Sequence, residues 1–370
     1  MEGPVDRAAT EGGPPITGTT LSTRPVGPVD LLTLTYLAVV AGVAVLFRDR
    51  VDGWLPLLVG LTGYAAVLVG LAALARRRPH DRRLASLRLV CPLLALPFLY
   101  GAVERYVLVL HGEFLDARVN AWERALLGFQ PNLVLDQLAS PPLTELLMAC
   151  YFSYYACFLV PPLVFLLRGR PDHLERYVFG LLLALYVCYL GFLVVPVLGP
   201  AHALRGEFTT PHLAGHFFVP VQDFLMAHGD PVGACFPSSH VAGAWTAVLL
   251  LRRWVPRAAF RWLAGIAVGL TVAVVHSRYH YLSDAVAGLL VAAACHRVAT
   301  RIRFRNPFAP QSPEDSRKND FAPSGETEPL VCVVAGASAE SDPPNGADPA
   351  PRTRAARACA RSDPRHRRGR

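Results

Sequence analysis

Lysine is almost missing from this chain. Lys318 is the only one among 36 basic residues, so nearly all positive charge is arginine. Charge of either sign is scarce, at 17% of residues against 52% hydrophobic, and the mean hydropathy of +0.33 is too high for an ordinary soluble domain. The eight cysteines are scattered with no Cys-x-x-Cys pair, and six lie in or beside apolar segments, where a reduced cysteine acts as a small hydrophobe. That pattern argues against a disulfide framework and against a thiolate metal site. No internal repeat is evident. Residues 1–29 are rich in Gly, Pro and Thr and lack a basic-then-apolar leader, so the first apolar run reads as an uncleaved anchor. The formal charge of +8 requires no nucleic-acid partner, because the arginines cluster in loops between apolar runs and in the C-terminal stretch.

Eight apolar runs approach membrane length, at roughly 30–47, 54–75, 88–110, 143–167, 177–198, 240–254, 261–277 and 283–300. The expected fold is therefore all-α, a polytopic transmembrane helix bundle of about eight spans. Pro56, Pro92, Pro97, Pro161, Pro162 and Pro196 fall inside or at the ends of these runs, which neighbouring helices tolerate. The sixth run is short and is expected to begin inside the protein at Ser238. Residues 112–141 carry Trp122, Leu126, Leu127 and Phe129 among Arg118, Glu123 and Arg124, the pattern of an amphipathic helix lying at the interface. From 303 to 370 the chain turns rich in Pro, Ala, Ser, Asp and Arg without periodicity, the composition of a disordered tail whose basic end could touch anionic headgroups.

Arginine distribution sets an expected orientation. One side holds Arg76–Arg78, Arg82, Arg83 and Arg88, then Arg168, Arg170 and Arg176, then Arg252, Arg253, Arg257 and Arg261, and finally Arg297, Arg301, Arg303 and Arg305. The other side has only Arg48, Arg50, Arg118, Arg124, Arg205 and Arg278. The positive-inside rule then places both termini in the cytoplasm, in a cell membrane of the bacterial inner type.

Two stretches carry chemistry, and both fall on the extracytoplasmic side of that scheme. His276-Ser277-Arg278-Tyr279-His280-Tyr281-Leu282-Ser283-Asp284 lies between apolar runs, where an Arg or Asp at mid-bilayer would cost about 2.5–3.5 kcal/mol. His280 and Asp284 are four apart, on one helical face, so the carboxylate can hold one imidazole nitrogen and leave the other free as base or nucleophile. Phe236-Pro237-Ser238-Ser239-His240 precedes another apolar run and reads as a capped helix start, whose free N–H groups can bind phosphate. Metal-free displacement at a phosphate ester needs a nucleophile, an acid for the leaving oxygen and donors for the phosphoryl oxygens. His280 oriented by Asp284 is the candidate nucleophile and His240 the candidate acid and later base. Arg278 is the candidate clamp, with Ser238 and the N–H groups of Ser239 and His240 completing the cradle.

Pro-Ser-Ser-His followed by Ser-Arg…His-x-x-x-Asp resembles the type 2 phosphatidic acid phosphatase superfamily. The tight His280-Tyr281-Leu282-Ser283-Asp284 followed by small residues is similar to the inositol phosphorylceramide synthase-like, or inositolphosphotransferase, branch. The resemblance covers about residues 90–300 and implies a six-helix catalytic core at 88–302. It would be preceded by a disordered cytoplasmic N-terminus at 1–29 and two extra helices at 30–87, and followed by the tail at 303–370. It implies a lipid phosphate phosphatase or phosphotransferase working through a phosphohistidine at the extracytoplasmic face. The substrate would be a membrane lipid phosphate, with no cofactor or metal. Three departures stand out. Ser239 replaces the family's Gly, Arg278 lies two residues before His280 rather than six, and the family's Lys-containing first motif has no lysine to supply it. Arg205 is the substitute cation, ahead of His202, His212 and His216.

Other chemistries fit less well. His276 and His280 have zinc-protease spacing, but Ser277 stands in the place of the Glu and Arg278 would repel a cation. A nucleophile at Ser239 lacks a Gly-x-Ser-x-Gly elbow. A non-enzymatic transporter or lipid-binding scaffold would favour ionisable residues at mid-membrane in paired halves, whereas here they gather at one interface.

Overall fold

The computed structural model describes residues 26–78, 81–229, 231–302 and 304. Among these the chain is a helical bundle with no strands, as expected of backbone that must satisfy its own hydrogen bonds in lipid. Most of the expected tail, and the N-terminal segment up to residue 25, lie outside the described residues.

α1 (Pro28–Leu46) and α2 (Trp54–Arg77) form an antiparallel pair closed at Gly53, whose φ of +63° suits a residue without Cβ. The third apolar run is not one helix. It opens at Asp81, whose carboxylate accepts from the amides of Arg83 and Leu84, and runs as α3 (Arg82–Leu94). It breaks at Ala95 and continues as α4 (Leu96–Gly101) and a 3-10 turn at Ala102–Arg105. Pro97 has no amide hydrogen for the carbonyl one turn before it, which accounts for the break. After α5 (Asp116–Leu127) and α6 (Pro131–Gln137) come α7 (Pro141–Leu167) and α8 (Pro171–Val194), joined through Gly169 at φ +62°. α9 (Pro200–Ala203) and α10 (Phe218–Gly229) lead to α11 (Ser239–Leu251), α12 (Arg257–His276) and α13 (Leu282–Arg301).

Seven helical segments are long and apolar enough to cross a membrane, with Arg82–Arg105 counted as one. The eighth expected span, α11, has 13 residues, or about 20 Å against a hydrocarbon core of about 30 Å. It can be short because it is enclosed: α7, α8, α12 and α13 all pack on it. α8 is the other central helix, with 72% of its apolar window buried against 22–39% for the other candidate spans. α1 and α3 cover the outer side of α8, where Tyr36 stacks on Tyr186 at 4.2 Å and its hydroxyl meets that of Tyr106 at 3.1 Å. The buried Asp30 pairs with the half-buried Arg88 between α1 and α3.

Candidate active site

The two chemical stretches meet at one end of the bundle, where α11 begins, α12 ends and α13 begins. Ser238 is the N-cap of α11, its hydroxyl accepting from the Val241 amide at 3.4 Å. Its own amide donates to the Asp284 carbonyl at 3.0 Å, so the stretches are bonded directly. The contact is close because Gly288, one turn into α13, has no side chain: a Cβ there would lie 2.7 Å from the Ser238 carbonyl oxygen. Gly199, at φ +96°, is similarly pressed against the Tyr279 carbonyl, 2.6 Å from where its Cβ would be.

His280 Nδ1 lies 3.4 Å from Asp284 Oδ2, at ion-pair reach but without a hydrogen-bond partner among the described residues, and both side chains are buried. That carboxylate oxygen also accepts from the Tyr281 amide at 2.9 Å, which fixes Asp284 at the start of α13. The His240 ring stands 6.0 Å from that of His280, centre to centre. Its Nε2 meets the Tyr151 hydroxyl at 2.8 Å, and its ring stacks on Tyr151 and tilts against Tyr154. The buried Nδ1 of His240 has no hydrogen-bond partner among the described residues. His240, His280, Asp284, Ser238 and Ser239 are thus brought together.

Arg278 is held by protein groups on the loops around it. Its guanidinium is paired with Asp136, donates to the Thr210 carbonyl at 2.8 Å and hydroxyl at 3.0 Å, and lies over the Phe208 ring at 4.1 Å. Its backbone has φ +65° in the position after the α12 C-cap, where glycine is usual, and its amide bonds the Val275 carbonyl. These bonds occupy both terminal nitrogens and anchor the loop that carries His280, while the buried Nε has no hydrogen-bond partner among the described residues. Arg205 is exposed after α9 and makes no ion pair or hydrogen bond among the described residues, and His202, His212 and His216 are exposed as well. The zinc-like pair is also split: His276 Nε2 faces the Thr144 hydroxyl at 3.1 Å, away from the Asp284 partnership of His280.

Several positioning residues escape the motif reading. Asn132, fully buried, donates through Nδ2 to the carbonyls of Val275 (2.8 Å) and His280 (3.0 Å), tying the end of α12 to its loop. Asp116 accepts from the amides of Leu198 and Gly199 and from the Tyr281 hydroxyl. Glu123 accepts from the Ser283 amide at 2.6 Å. Asp116 and Glu123 are seven apart on α5 and both buried, while Trp122, Leu126 and Phe129 are exposed. The acidic face of the expected interfacial helix therefore supports the site loops. That seven-residue spacing was legible in the sequence; Tyr151, inside an apolar run, carried no signal. Burial raises the Glu123 carboxyl against the lowering effect of the Ser283 bonds. Burial would raise Asp136 too, but the bonds from Thr209 and Arg278 outweigh it and the carboxyl is lowered.

Residues 117–298 match the family model of the PAP2 superfamily. That match supports the type 2 phosphatidic acid phosphatase superfamily and a membrane phosphatase-type protein. It begins inside α5, so it takes in α7, α8 and α11–α13 but leaves the broken third span outside. Searches of the curated proteins and of the solved structures give no significant match.

Proposed function

We propose that the chain is a lipid phosphate phosphatase or phosphotransferase that works through a phosphohistidine on His280, at the extracytoplasmic face of the membrane. The observation that carries this reading is the approach of His240 to His280 with Asp284 beside the latter, within a segment matched by the PAP2 superfamily. In this reading Asp284, 3.4 Å from His280 Nδ1, orients that N–H, which leaves the Nε2 lone pair to attack phosphorus. As the N–P bond forms, the ester P–O bond breaks and the leaving oxygen takes a proton from protonated His240. Asp284 balances the positive charge on the phosphorylated imidazole. Neutral His240 then takes a proton from water or an alcohol, whose oxygen attacks phosphorus and releases His280. Water as acceptor gives a phosphatase; an alcohol gives the transferase of the inositolphosphotransferase-like branch. The amides of Ser239 and His240 at the start of α11 are oriented donors for the phosphoryl oxygens. Residues 88–302 form the catalytic core in this reading, with residues 30–87 as an addition to it.

The test uses purified protein and a radiolabelled lipid phosphate whose leaving group needs no proton. His240→Ala should accumulate acid-labile, base-stable label, His280→Ala should take up none, and Asp284→Asn should label slowly. Label on a serine, or a strict need for an added divalent metal, would overturn the assignment.

A further inference from the structure

A cavity of about 920 Å³ adjoins His240 and is walled by α7, α10 and the broken third span. Polarity changes along its length. The third span runs toward the histidines and α7 runs away from them, so Glu104 and Tyr151 stand at the near end and Leu93 and Leu159 at the far end. Eleven residues separate Leu93 from Glu104, or about 16 Å at the helical rise. The far end opens sideways: Leu159 lines the cavity yet is 69% exposed on the outer face of the bundle, which in a membrane meets acyl chains.

The cavity wall holds an unmet requirement. Gln222, on α10, is 1% exposed and lines the cavity, and its Oε1 has no hydrogen-bond partner among the described residues. A buried amide oxygen without a donor is unfavourable until one reaches it. Glu104 lines the same wall but is exposed, so of the two only the Gln222 oxygen is buried without a donor. A ligand rich in acceptors, such as a fully esterified glycerol, leaves the Gln222 oxygen unpaired.

We propose that this cavity receives the alcohol portion of the lipid, and that Gln222 selects an alcohol with a second donor, a free hydroxyl beside the phosphorylated one. The inference rests on the phosphoryl-transfer reading of His240 and His280 and names the class of alcohol it acts on. The reacting oxygen lies at His240, the neighbouring hydroxyl donates to Gln222, and the acyl chain leaves between the third span and α7. The part of the wall from Leu93 to Glu104 precedes the matched segment, whereas Gln222 lies within it.

The test reads binding without turnover. The full chain in lipid nanodiscs is photolabelled with a 1-acylglycerol carrying a diazirine in its chain, in competition with unlabelled 1-acylglycerol or its 2-O-methyl ether. Labelling should map to the third span and to α7 around Tyr154–Leu159, and the ether should compete about tenfold more weakly. In Gln222→Leu the two competitors should become equal. Equal competition in the wild type, or a preference that survives Gln222→Leu, would overturn the proposal. Gly101 also lines the cavity, is helical, and a Cβ there would meet nothing within 4 Å. Gly101→Phe should cut labelling about tenfold even if the Gln222 variant fails to fold; undiminished labelling would put the lipid elsewhere. Labelling as expected without phosphohistidine would retain the subsite and remove the phosphoryl-transfer reading, and the reverse would remove the subsite alone.

Discussion

Arg278 and Asp136 illustrate how a buried ion pair can position a loop. Their side chains are 6% and 1% exposed, and removing one partner of such a pair costs about 3–5 kcal/mol because the other stays charged and buried. The two deletions should not be equivalent. Asp136→Asn strands the guanidinium, whereas Arg278→Gly leaves Asp136 with the Thr209 amide and hydroxyl at 2.7 and 2.6 Å and also relieves the φ of +65°. Asp136→Asn is expected to lower the Tm more than Arg278→Gly; the opposite order would mean that Arg278 is stabilised chiefly by Thr210 and Phe208. pH acts through the same residue. The carboxyl of Asp136 is lowered in the fold, so its stabilisation is present above the unfolded value of about 3.9 and lost as pH falls through the folded value. Glu123 has the opposite sign. Its carboxyl is raised, so the folded chain favours the protonated form, and that stability disappears as pH rises through the folded value. Glu123→Gln keeps an oxygen for the Ser283 amide and is expected to raise the Tm at pH 7–8, the gain vanishing below pH 4. A gain independent of pH would show that ionisation of Glu123 is not its source.

Among the elements, α11 and α13 are held together by absence of side-chain volume. Gly288 lets α13 approach the Ser238 carbonyl, and Gly243 on α11 meets the Tyr154 ring, 2.9 Å from where a Cβ would be. The backbone atom at Ser238 cannot rotate away, so Gly288→Ala should shift the start of α11 and move His240 relative to His280. Turnover is expected to fall at least tenfold, about 1.4 kcal/mol of transition-state stabilisation. Gly265 on α12 is the contrast: nothing lies within 4 Å of its Cβ position, so Gly265→Ala should be neutral or slightly stabilising. Equal loss in both variants would point to general intolerance of the bundle rather than to the α11–α13 contact.

For the whole molecule, the arginine asymmetry makes a directional prediction. His212, in the connection between α9 and α10, and Ala258, in the first turn of α12, are both exposed and are assigned to opposite sides. A cysteine at 212 should react with an impermeant thiol reagent added outside intact cells, while one at 258 should react only after permeabilisation, each measured over the labelling of the wild-type chain. The reverse pattern would put the histidine pair on the cytoplasmic face. Asp116, Glu123 and Asp136 lie on the two helices at that same end, so any rotation of α5 or α6 would be felt by the site loops.

The class of the molecule was determined by the sequence alone, because apolar runs near membrane length leave a backbone few alternatives to helix. His280 and Asp284 were legible together for the same reason, since a spacing of four is a local property of one helical turn. Their meeting with His240, some forty residues away in the chain, depended on Gly288 and on the Ser238–Asp284 backbone bond, which no local spacing encodes. Arg278 was read as a clamp because charge beside a histidine motif suggests an anion; only packing revealed that Asp136 and Thr210, more than sixty residues distant, already hold it. The short α11 and the broken third span were decided in the same way. Enclosure by four helices makes 13 residues sufficient for the first, and proline in the second opens a wall beside His240. Local periodicity specifies elements, while the partners of a buried polar group are specified only by the fold around it.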